Sequence, residues 1–365
     1  MFDTFIWFAV GLIALIGGAE LLVRSVSKLA VTLGISKLII GLTVVAFGTS
    51  APELAVSIRA GIDGNTDLML GNIVGSNITN TLLILGLAAL IIPLKVHVKL
   101  IRWDVPIMIF VTILVYILAL NGSISFFECL LLTCILIAYL IFLIRQGGDT
   151  DFKIKAKEKR SPVKIFANSV MSISGFFILV TGAGWLINSS LIFAEMAGVS
   201  ELTIGLTVVA IGTSLPEIVV VLIAAIRGEK DLAVGSIIGS NILNFLAVLG
   251  VSGLFIPGAI PVQEALIRFD LIILLVASIF CIPIFYTGHK IVRWEGILFL
   301  CLYFSYLFYL FLSSNDHGFV SVFTSIMLYF VLPVTLITLL VIALMEWKKR
   351  FRFRNFKFTN ITKPK

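Results

Sequence analysis

Two nearly identical stretches of this sequence lie 164 positions apart, and each ends in a glutamate inside a long apolar segment. They are Gly41–Glu53 (GLTVVAFGTSAPE) and Gly205–Glu217 (GLTVVAIGTSLPE), and the match resumes at the same offset in Gly71–Asn80 (GNIVGSNITN) and Gly235–Asn244 (GSIIGSNILN). A carboxylate at bilayer depth is costly, and such residues are by default functional. The chain is therefore predicted to be a duplicated membrane protein whose two motif glutamates belong to its functional site.

The composition places most of the chain in a bilayer. Hydrophobic residues make up 59% and charged residues 13% of the 365 residues, and the mean hydropathy is +1.13. This leaves too little polar surface to cover a water-soluble globule. Windows of about 20 apolar residues predict eleven transmembrane spans. They lie near 2–24, 36–60, 67–92, 104–120, 124–145, 165–189, 200–227, 231–256, 268–287, 291–313 and 319–346.

The basic residues predict how the spans are oriented. With the N-terminus outside, the lysines and arginines of the loops and the C-terminal tail fall on the cytoplasmic side, and only Arg59 and Arg268 fall outside. This is the asymmetry of the positive-inside rule, so we expect a multi-pass protein of the cell (plasma) membrane with a cytoplasmic C-terminus. Topology and contact with the anionic lipid bilayer then explain the net charge of +7, and no nucleic-acid partner is expected.

The two copies have opposite orientations, because Glu53 falls on the second predicted span and Glu217 on the seventh. The expected fold is an all-α polytopic membrane protein with two inverted five-helix repeats, which form a ten-helix core, plus one extra C-terminal transmembrane helix. Such repeats are typical of secondary transporters, whose sites lie at the bilayer midplane where the repeats meet. The expected division is 1–145 for the first repeat, 146–164 for a cytoplasmic linker, 165–313 for the second repeat, 319–346 for the additional helix and 347–365 for a basic cytoplasmic tail.

The motif itself predicts a broken helix that offers oxygen ligands. Pro52 has no N–H to donate to the carbonyl of Gly48, so the helix must break or bend there. Carbonyls released around Ala46–Thr49 are tolerable at this depth only if they are paired or bind a cation. The hydroxyls and carboxylates that accompany the two breaks are Thr49, Ser50 and Glu53 in the first copy and Thr213, Ser214 and Glu217 in the second.

The span after each motif supplies a second oxygen-rich surface. Its polar residues are spaced i, i+4, i+8 and so share one side of a helix; they are Asn72, Ser76 and Asn80, and then Ser236, Ser240 and Asn244. Carboxylate, hydroxyl, amide and carbonyl oxygens without thiolate or imidazole favour Ca²⁺ or Na⁺ over zinc, copper or iron. Helix packing explains any single serine or asparagine as readily, but no arginine lies at the depth of the glutamates to pair with them.

No resident cofactor and no enzymatic activity are expected. The three histidines are scattered in predicted loops, and the four cysteines form no paired motif. An intramembrane hydrolase would need a nucleophile–base set or a metal motif such as HExxH, and the sequence contains neither.

Two further features of the first span are interpreted structurally. Glu20 lies one turn before Arg24, which predicts an i, i+4 ion pair. The small residues of this span are matched loosely in the sixth span and would let two matching helices slide; they are Gly17 and Gly18, and Gly182 and Gly184.

At this point the residues resemble a known family. The GTSxPE pair, followed in each half by GSNxxN, resembles the two α-repeats of the calcium/cation antiporter superfamily, specifically its sodium/calcium exchanger branch. The resemblance implies a ten-helix inverted-repeat core whose first and sixth helices slide to alternate access. It also implies that Ca²⁺ binds between the motif glutamates and the carbonyls of the motif threonines. The positions implied for calcium are Glu53, Glu217, Thr49 and Thr213, and those implied for sodium are Ala46, Ser50, Ser76, Asn80, Ala210, Ser214, Ser240 and Asn244.

The sequence departs from the family pattern at two points. Some members, including potassium-dependent ones, have an aspartate where this chain has Asn244, which disfavours K⁺ cotransport. The predicted eleventh span has no place in a ten-helix core and is interpreted as an appended peripheral helix.

The leading hypothesis is a secondary active antiporter that exchanges Na⁺ for Ca²⁺ by alternating access, with both ions as substrates. The alternative is an H⁺/Ca²⁺ antiporter in which a buried glutamate takes up a proton in place of sodium. The serine and asparagine shell discriminates between them, since protons do not need it. A passive channel is a third alternative, which inverted broken helices disfavour. The oligomeric state is left open.

Overall fold

The computed structural model describes residues 2–33, 36–148, 162–196, 210–314 and 319–342, together with residues 344 and 348. The described residues form eleven helical units and four short strands. The helices are α1 (Phe2–Leu33), α2 (Lys37–Thr49 and Ala51–Ile62), α3 (Thr66–Ile91), α4 (Leu100–Ala119), α5 (Phe126–Gly148), α6 (Pro162–Met196), α7 (Ala210–Thr213 and Leu215–Ile226), α8 (Lys230–Gly253), α9 (Leu266–Tyr286), α10 (Arg293–Ser314) and α11 (Val320–Ile342). The strands are β1 (Leu94–Lys95), β2 (Ser123–Ile124), β3 (Ile260–Pro261) and β4 (Lys290–Ile291).

The predicted all-helical, multi-pass fold is confirmed. Nine of the described helices are long and apolar enough to cross a membrane, and the two halves of α2 together form a tenth candidate. Both α1 and α6 are longer than the predicted spans 2–24 and 165–189, because the helix continues past the apolar window at one or both ends.

Parts of the predicted chain division lie outside the described residues. These are 200–209 of the seventh span, 149–161 of the linker and nearly all of the tail. The division of the chain into numbered segments therefore stays a prediction.

Helices α3 and α8 form the centre of the molecule. Every residue in the apolar window of α8 is buried, and 83% of that window is buried in α3, against 17% in α6 and 6% in α11. A helix that is apolar all round and buried by its neighbours occupies a core, whereas exposed apolar helices face lipid. The two GSNxxN motifs therefore lie in the two most enclosed helices of the described part.

Four short strands join the two halves of the chain. Strand β1 pairs antiparallel with β4, and β2 pairs antiparallel with β3. Leu94 lies opposite Ile291, and Ile124 lies opposite Ile260. Each small sheet therefore contains one strand from each half. Because β1 follows Pro93 and β3 follows the equivalent Pro257, the inverted symmetry of the repeats exchanges one sheet for the other.

The motif helices are interrupted at equivalent serines. The two halves of α2 are bent by 43° at Ser50, whose φ and ψ are −82° and 5°. Helix α7 is interrupted at Ser214, whose φ and ψ are −88° and 4°. In each case a proline occupies the first turn of the following half-helix, where its missing N–H and fixed φ are tolerated. The bend predicted from Pro52 is confirmed.

Wider turns follow the GSNxxN motifs. The backbone winds as a π-helix at Thr79–Ile84 in α3 and at Asn244–Leu249 in α8. Such segments are frequent at functional sites, because the wider turn changes which side chains share a helix face. The sequence did not predict them.

Glycines let α1 and α6 approach backbone to backbone. A Cβ atom at Gly11 would lie 2.9 Å from the carbonyl oxygen of Gly182, and one at Gly18 would lie 2.8 Å from that of Gly175. We call these four glycines the α1–α6 seam. Of the glycines singled out in the sequence, Gly18 and Gly182 lie at this close approach, whereas Gly17 and Gly184 have open space beside them; Gly11 and Gly175 were not singled out. The sliding of the two helices stays a prediction.

Glu20 connects α1 to a neighbouring helix. It forms the predicted ion pair with Arg24, and it also pairs with Arg227 at the end of α7. The second partner was not predicted, because residues 207 positions apart meet only through the tertiary fold.

Candidate cation-binding site

The predicted site residues come together where the broken helices α2 and α7 meet the central helices α3 and α8. Every one of them whose side chain is described is buried, with no more than 7% of its surface exposed. The buried set is Ala46, Thr49, Ser50, Glu53, Ser76, Asn80, Thr213, Ser214, Glu217, Ser240 and Asn244. Ala210 begins the first half of α7, and its side chain lies outside the described residues.

The two motif glutamates face one another across the repeat interface. Glu53 is 1% exposed and Glu217 is 3% exposed, and their negative charges repel each other. The Ser50 hydroxyl donates to Glu217 Oε1 at 3.3 Å, which joins the first motif to the carboxylate of the second. Among the described residues, neither glutamate has a lysine, arginine or histidine within ion-pair distance. The negative charge of the pair is therefore uncompensated by protein groups.

Oxygen atoms without hydrogen-bond partners are concentrated in this region. Leaving a buried polar atom unpaired costs about 1–3 kcal/mol, and more for a charged group. A protein can tolerate this cost where the oxygens bind a ligand that is not part of the chain. Among the described residues, the buried oxygens of the motif helices without a partner are Glu53 Oε1 and Oε2, Glu217 Oε2, Asn80 Oδ1, Asn241 Oδ1, Asn244 Oδ1, Ser236 Oγ and Ser240 Oγ.

Other polar residues of the site are already paired. The Ser214 hydroxyl donates to Ser76 Oγ at 3.4 Å. The Thr213 hydroxyl donates to Asn72 Oδ1 at 3.2 Å, and Asn72 Nδ2 donates to Ser57 Oγ at 3.2 Å and to the Glu53 carbonyl at 3.4 Å. Asn72 thus holds the break of α7 against the second half of α2.

The carbonyls at the α2 break are less free than the sequence suggested. The Ala46 carbonyl accepts the Ser50 N–H at 3.0 Å and the Thr49 hydroxyl at 3.3 Å. The helix bond that Pro52 cannot make belongs to the carbonyl of Gly48. The loss of helix bonding is therefore confined to the residues after Ala46.

The third residue of each GSN triplet lies outside the predicted ligand set, and the structure places one of these two asparagines, Asn77, against a member of that set. Asn244 Nδ2 donates to Asn77 Oδ1 at 3.0 Å, whereas Asn241, the equivalent of Asn77, donates to Thr81 Oγ1 at 2.8 Å. The repetition of asparagine at this position in both halves is the signal that could have identified it.

The donor set determines which ions can be held. It contains two carboxylates, hydroxyls and amide oxygens, all of them hard ligands that suit Ca²⁺ and Na⁺. Burial excludes water, so the attraction between the carboxylates and a cation is strong. The described residues contain no group of three His, Cys, Asp or Glu side chains arranged around one point.

Comparison with known proteins gives matches over both halves of the chain. A sequence model described as sodium/calcium exchanger protein matches residues 4–145 and 168–312. The sodium/calcium exchanger MaX1 of Methanosarcina acetivorans is 36% identical over an alignment of 346 residues that covers 84% of this chain and 98% of MaX1. The inner membrane protein YrbG of Escherichia coli is 36% identical over an alignment of 296 residues that covers 79% of this chain and 91% of YrbG.

A solved structure shows the same fold. The sodium-calcium exchanger NCX_Mj, soaked with 2.5 mM Na⁺ and 0.1 mM Ca²⁺, superposes with a TM-score of 0.73 at 31% identity. The superposition covers 82% of this chain and 96% of NCX_Mj. The family match ends at residue 312, before α11 begins.

Proposed function

Because the chain belongs to the sodium/calcium exchanger protein family, we propose that it is a secondary active antiporter that exchanges Na⁺ for Ca²⁺, with the ions bound between Glu53 and Glu217. One observation carries the proposal. Two buried carboxylates without a basic partner lie among unpaired hydroxyl and amide oxygens, at the junction of two inverted broken helices. A cation would satisfy these atoms together.

The two ions use overlapping parts of the site. Ca²⁺ neutralises the charge of both glutamates and takes the carbonyls of Thr49 and Thr213 as further ligands. Na⁺, with half the charge, relies more on neutral oxygens. The unpaired Oδ1 atoms of Asn80 and Asn244 and the Ser240 hydroxyl support this division. Since both ions need the same glutamates, they compete, and competition for one site couples their opposite movements.

Alternating access completes the cycle. The described site residues expose at most 7% of their surface, so an ion enters or leaves only when helices move. The α1–α6 seam packs these two helices closely, which supports a movement of α1 and α6 together against the other helices that opens the site to one side at a time. The ion pair of Glu20 with Arg227 connects α1 to the broken helix α7 and would have to open during that movement.

We place the protein in the cell membrane with its N-terminus outside and its C-terminus in the cytoplasm. The basic residues support this orientation, since the end of α1, the start of α2 and the β1 loop carry Arg24, Lys37 and Lys95 on one face. The likeness to an inner membrane protein of Escherichia coli supports the location.

The test is ⁴⁵Ca²⁺ uptake by the purified chain in liposomes loaded with Na⁺. We expect uptake that follows the outward Na⁺ gradient and disappears when monensin dissipates that gradient. The control is the double variant Glu53→Gln/Glu217→Gln, which should show no uptake. Uptake driven by an acidic interior without Na⁺, and indifferent to a Na⁺ gradient, would make the chain an H⁺/Ca²⁺ antiporter instead.

A further inference from the structure

We infer that Asn77 is a positioning residue, which holds the amide of Asn244 so that its oxygen and not its nitrogen faces the transported Na⁺. The inference rests on the proposed function of the site and adds a residue outside the predicted ligand set. Asn77 lies on α3 and Asn244 on α8, so the contact also crosses between the two repeats.

The geometry of the contact sets the direction of the amide. Asn244 Nδ2 donates to Asn77 Oδ1 at 3.0 Å, and both side chains are 1% exposed. The nitrogen and oxygen of an amide lie on opposite sides of one planar group, so fixing Nδ2 against Asn77 turns Oδ1 the other way. Asn244 Oδ1 is buried and has no hydrogen-bond partner, as a cation ligand would be before its ion binds.

The direction matters because an amide presents opposite polarity at its two ends. The oxygen is an acceptor that coordinates Na⁺ and Ca²⁺, whereas the NH₂ group carries two donor hydrogens that repel a cation. With the Asn77 amide in its present orientation, a half-turn of the Asn244 amide would also bring its Oδ1 against Asn77 Oδ1. In this buried region water cannot compensate for either error.

The equivalent asparagine of the second half has a different partner. Asn241 is 2% exposed and occupies the same place in its motif, but it donates to Thr81 Oγ1 at 2.8 Å and to Met108 Sδ at 3.5 Å. Neither partner belongs to the predicted ligand set. Asn241 therefore ties α8 to α3 and α4, and it is a control matched to Asn77 in residue type, burial and motif position.

The test compares Asn77→Leu and Asn241→Leu, each in the native chain and in an Asn244→Asp background. The readouts are the half-saturating Na⁺ concentration for Na⁺-driven ⁴⁵Ca²⁺ exchange and the rate of Ca²⁺/Ca²⁺ self-exchange, which reports that the protein is folded. In the native background, Asn77→Leu should raise the half-saturating Na⁺ concentration about tenfold, as expected for loss of one orienting hydrogen bond. Asn241→Leu should lower the unfolding temperature and leave that concentration unchanged.

The Asn244→Asp background separates orientation from packing. A carboxylate presents an oxygen in either orientation, so in this background Asn77→Leu should not weaken Na⁺ binding. An equal loss in both backgrounds, or no loss in the native background, would overturn the inference. Should Asn77→Leu fail to fold, Asn77→Asp keeps the acceptor oxygen and should bind Na⁺ at least as tightly as the native chain; weaker Na⁺ binding would overturn the inference.

The outcome also distinguishes this inference from the proposed function. A native chain without Na⁺-driven exchange would overturn the proposed function and the inference with it. A native chain that exchanges the ions, together with an Asn77→Leu variant of normal Na⁺ dependence, would overturn the inference alone.

Discussion

The α1–α6 seam and the cation site are both built from equivalent residues of the two repeats, but only the seam keeps the repeat symmetry in its contacts. In the seam, Gly11 faces Gly182 and Gly18 faces Gly175. The offset of 164 positions that relates the repeats converts the first pair into the second.

The site breaks that symmetry at the same offset. Ser50 donates to Glu217, but its counterpart Ser214 donates to Ser76 and not to Glu53. In the part of the chain that the structure describes, neither oxygen of Glu53 has a partner, whereas Glu217 has one paired oxygen. The sequences around these residues are nearly identical, so the difference is one of conformation.

The difference indicates which parts of the molecule change during transport. An inverted-repeat transporter changes sides when each repeat adopts the arrangement of the other. Contacts that obey the repeat symmetry are the same before and after that exchange. Contacts that break the symmetry must be lost in one repeat and formed by the equivalent residues of the other. On this view α1 and α6 move as one body, and the hydrogen bonds around the glutamates are the part that switches.

The largest expected effect comes from removing either charge of the site. Glu53→Gln and Glu217→Gln should each abolish Ca²⁺ exchange, a loss of at least about a hundredfold, because one carboxylate cannot offset a dication in a buried site. The two variants should fail equally although their hydrogen bonding differs. Initial rates of ⁴⁵Ca²⁺ uptake test this.

A matched control for the glutamates is Glu128→Gln. Glu128 accepts the Ser125 N–H at 2.6 Å and its hydroxyl at 2.8 Å, so it caps the start of α5 and does not enter the site. Its replacement should leave transport near the native rate. Near-native exchange in either site variant would instead remove the carboxylate pair from the mechanism.

The second-largest effect concerns the net charge that one transport cycle moves across the membrane. Asn80 and Asn244 are neutral, so a site loaded with Ca²⁺ is formally neutral, and one loaded with three Na⁺, the number that the family resemblance implies, has one positive charge. One charge crossing 100 mV is worth about 2.3 kcal/mol, roughly 50-fold in an equilibrium. Ca²⁺ uptake coupled to Na⁺ exit should therefore be slowed by an interior-negative potential clamped with valinomycin. Uptake indifferent to the potential would mean electroneutral exchange.

The seam itself is tested by two neighbouring glycines. Gly18→Ala places a methyl group against the backbone of α6 and should destabilise the protein by about 1–3 kcal/mol, as overpacking does. Gly17→Ala is the control, because nothing lies within 4 Å of the added carbon. Thermal unfolding in detergent measures both. Equal unfolding temperatures for the two variants would show that the close approach does not stabilise the fold.

The smallest effect is the sharpest test of the broken symmetry. Ser50→Ala removes a hydrogen bond to Glu217, and Ser214→Ala removes one to Ser76. If the repeats trade these contacts when the site changes sides, each variant should raise the half-saturating Ca²⁺ concentration severalfold, about the value of one hydrogen bond, and on opposite faces of the membrane. Vesicles of both orientations give the measurement. If the half-saturating Ca²⁺ concentration rose on the same face of the membrane for both variants, the asymmetric hydrogen bonds would not be exchanged when the site changes sides.

The sequence predicted the features that depend on local chemistry. Pro52 and Pro216 interrupt their helices whatever surrounds them. The segments around Glu53 and Glu217 are apolar and long enough to cross a bilayer, so both glutamates were expected to be buried. The inverted arrangement follows from counting spans between the two copies. For these reasons the fold class and the grouping of the motif residues could be expected before any coordinates.

What depends on helix rotation could not be predicted in the same way. Residues 5–19 of α1 are apolar on all sides, so nothing in this stretch of sequence says that Gly11 and Gly18 face α6 while Gly17 does not. The π-helical turns after the GSNxxN motifs rotate the following residues, and they depend on tertiary packing. The different partners of Asn77 and Asn241, which occupy equivalent places in the two motifs, could likewise not be predicted from the motif sequence.

The strand pairs that join the two halves affect how the protein is made. β1 leaves the ribosome long before β4, its partner, and β2 long before β3. Contacts between segments so distant in the chain form late. The first repeat must therefore wait in the membrane with its loop strands unpaired and the polar faces of α2 and α3 unmatched until the second repeat is inserted.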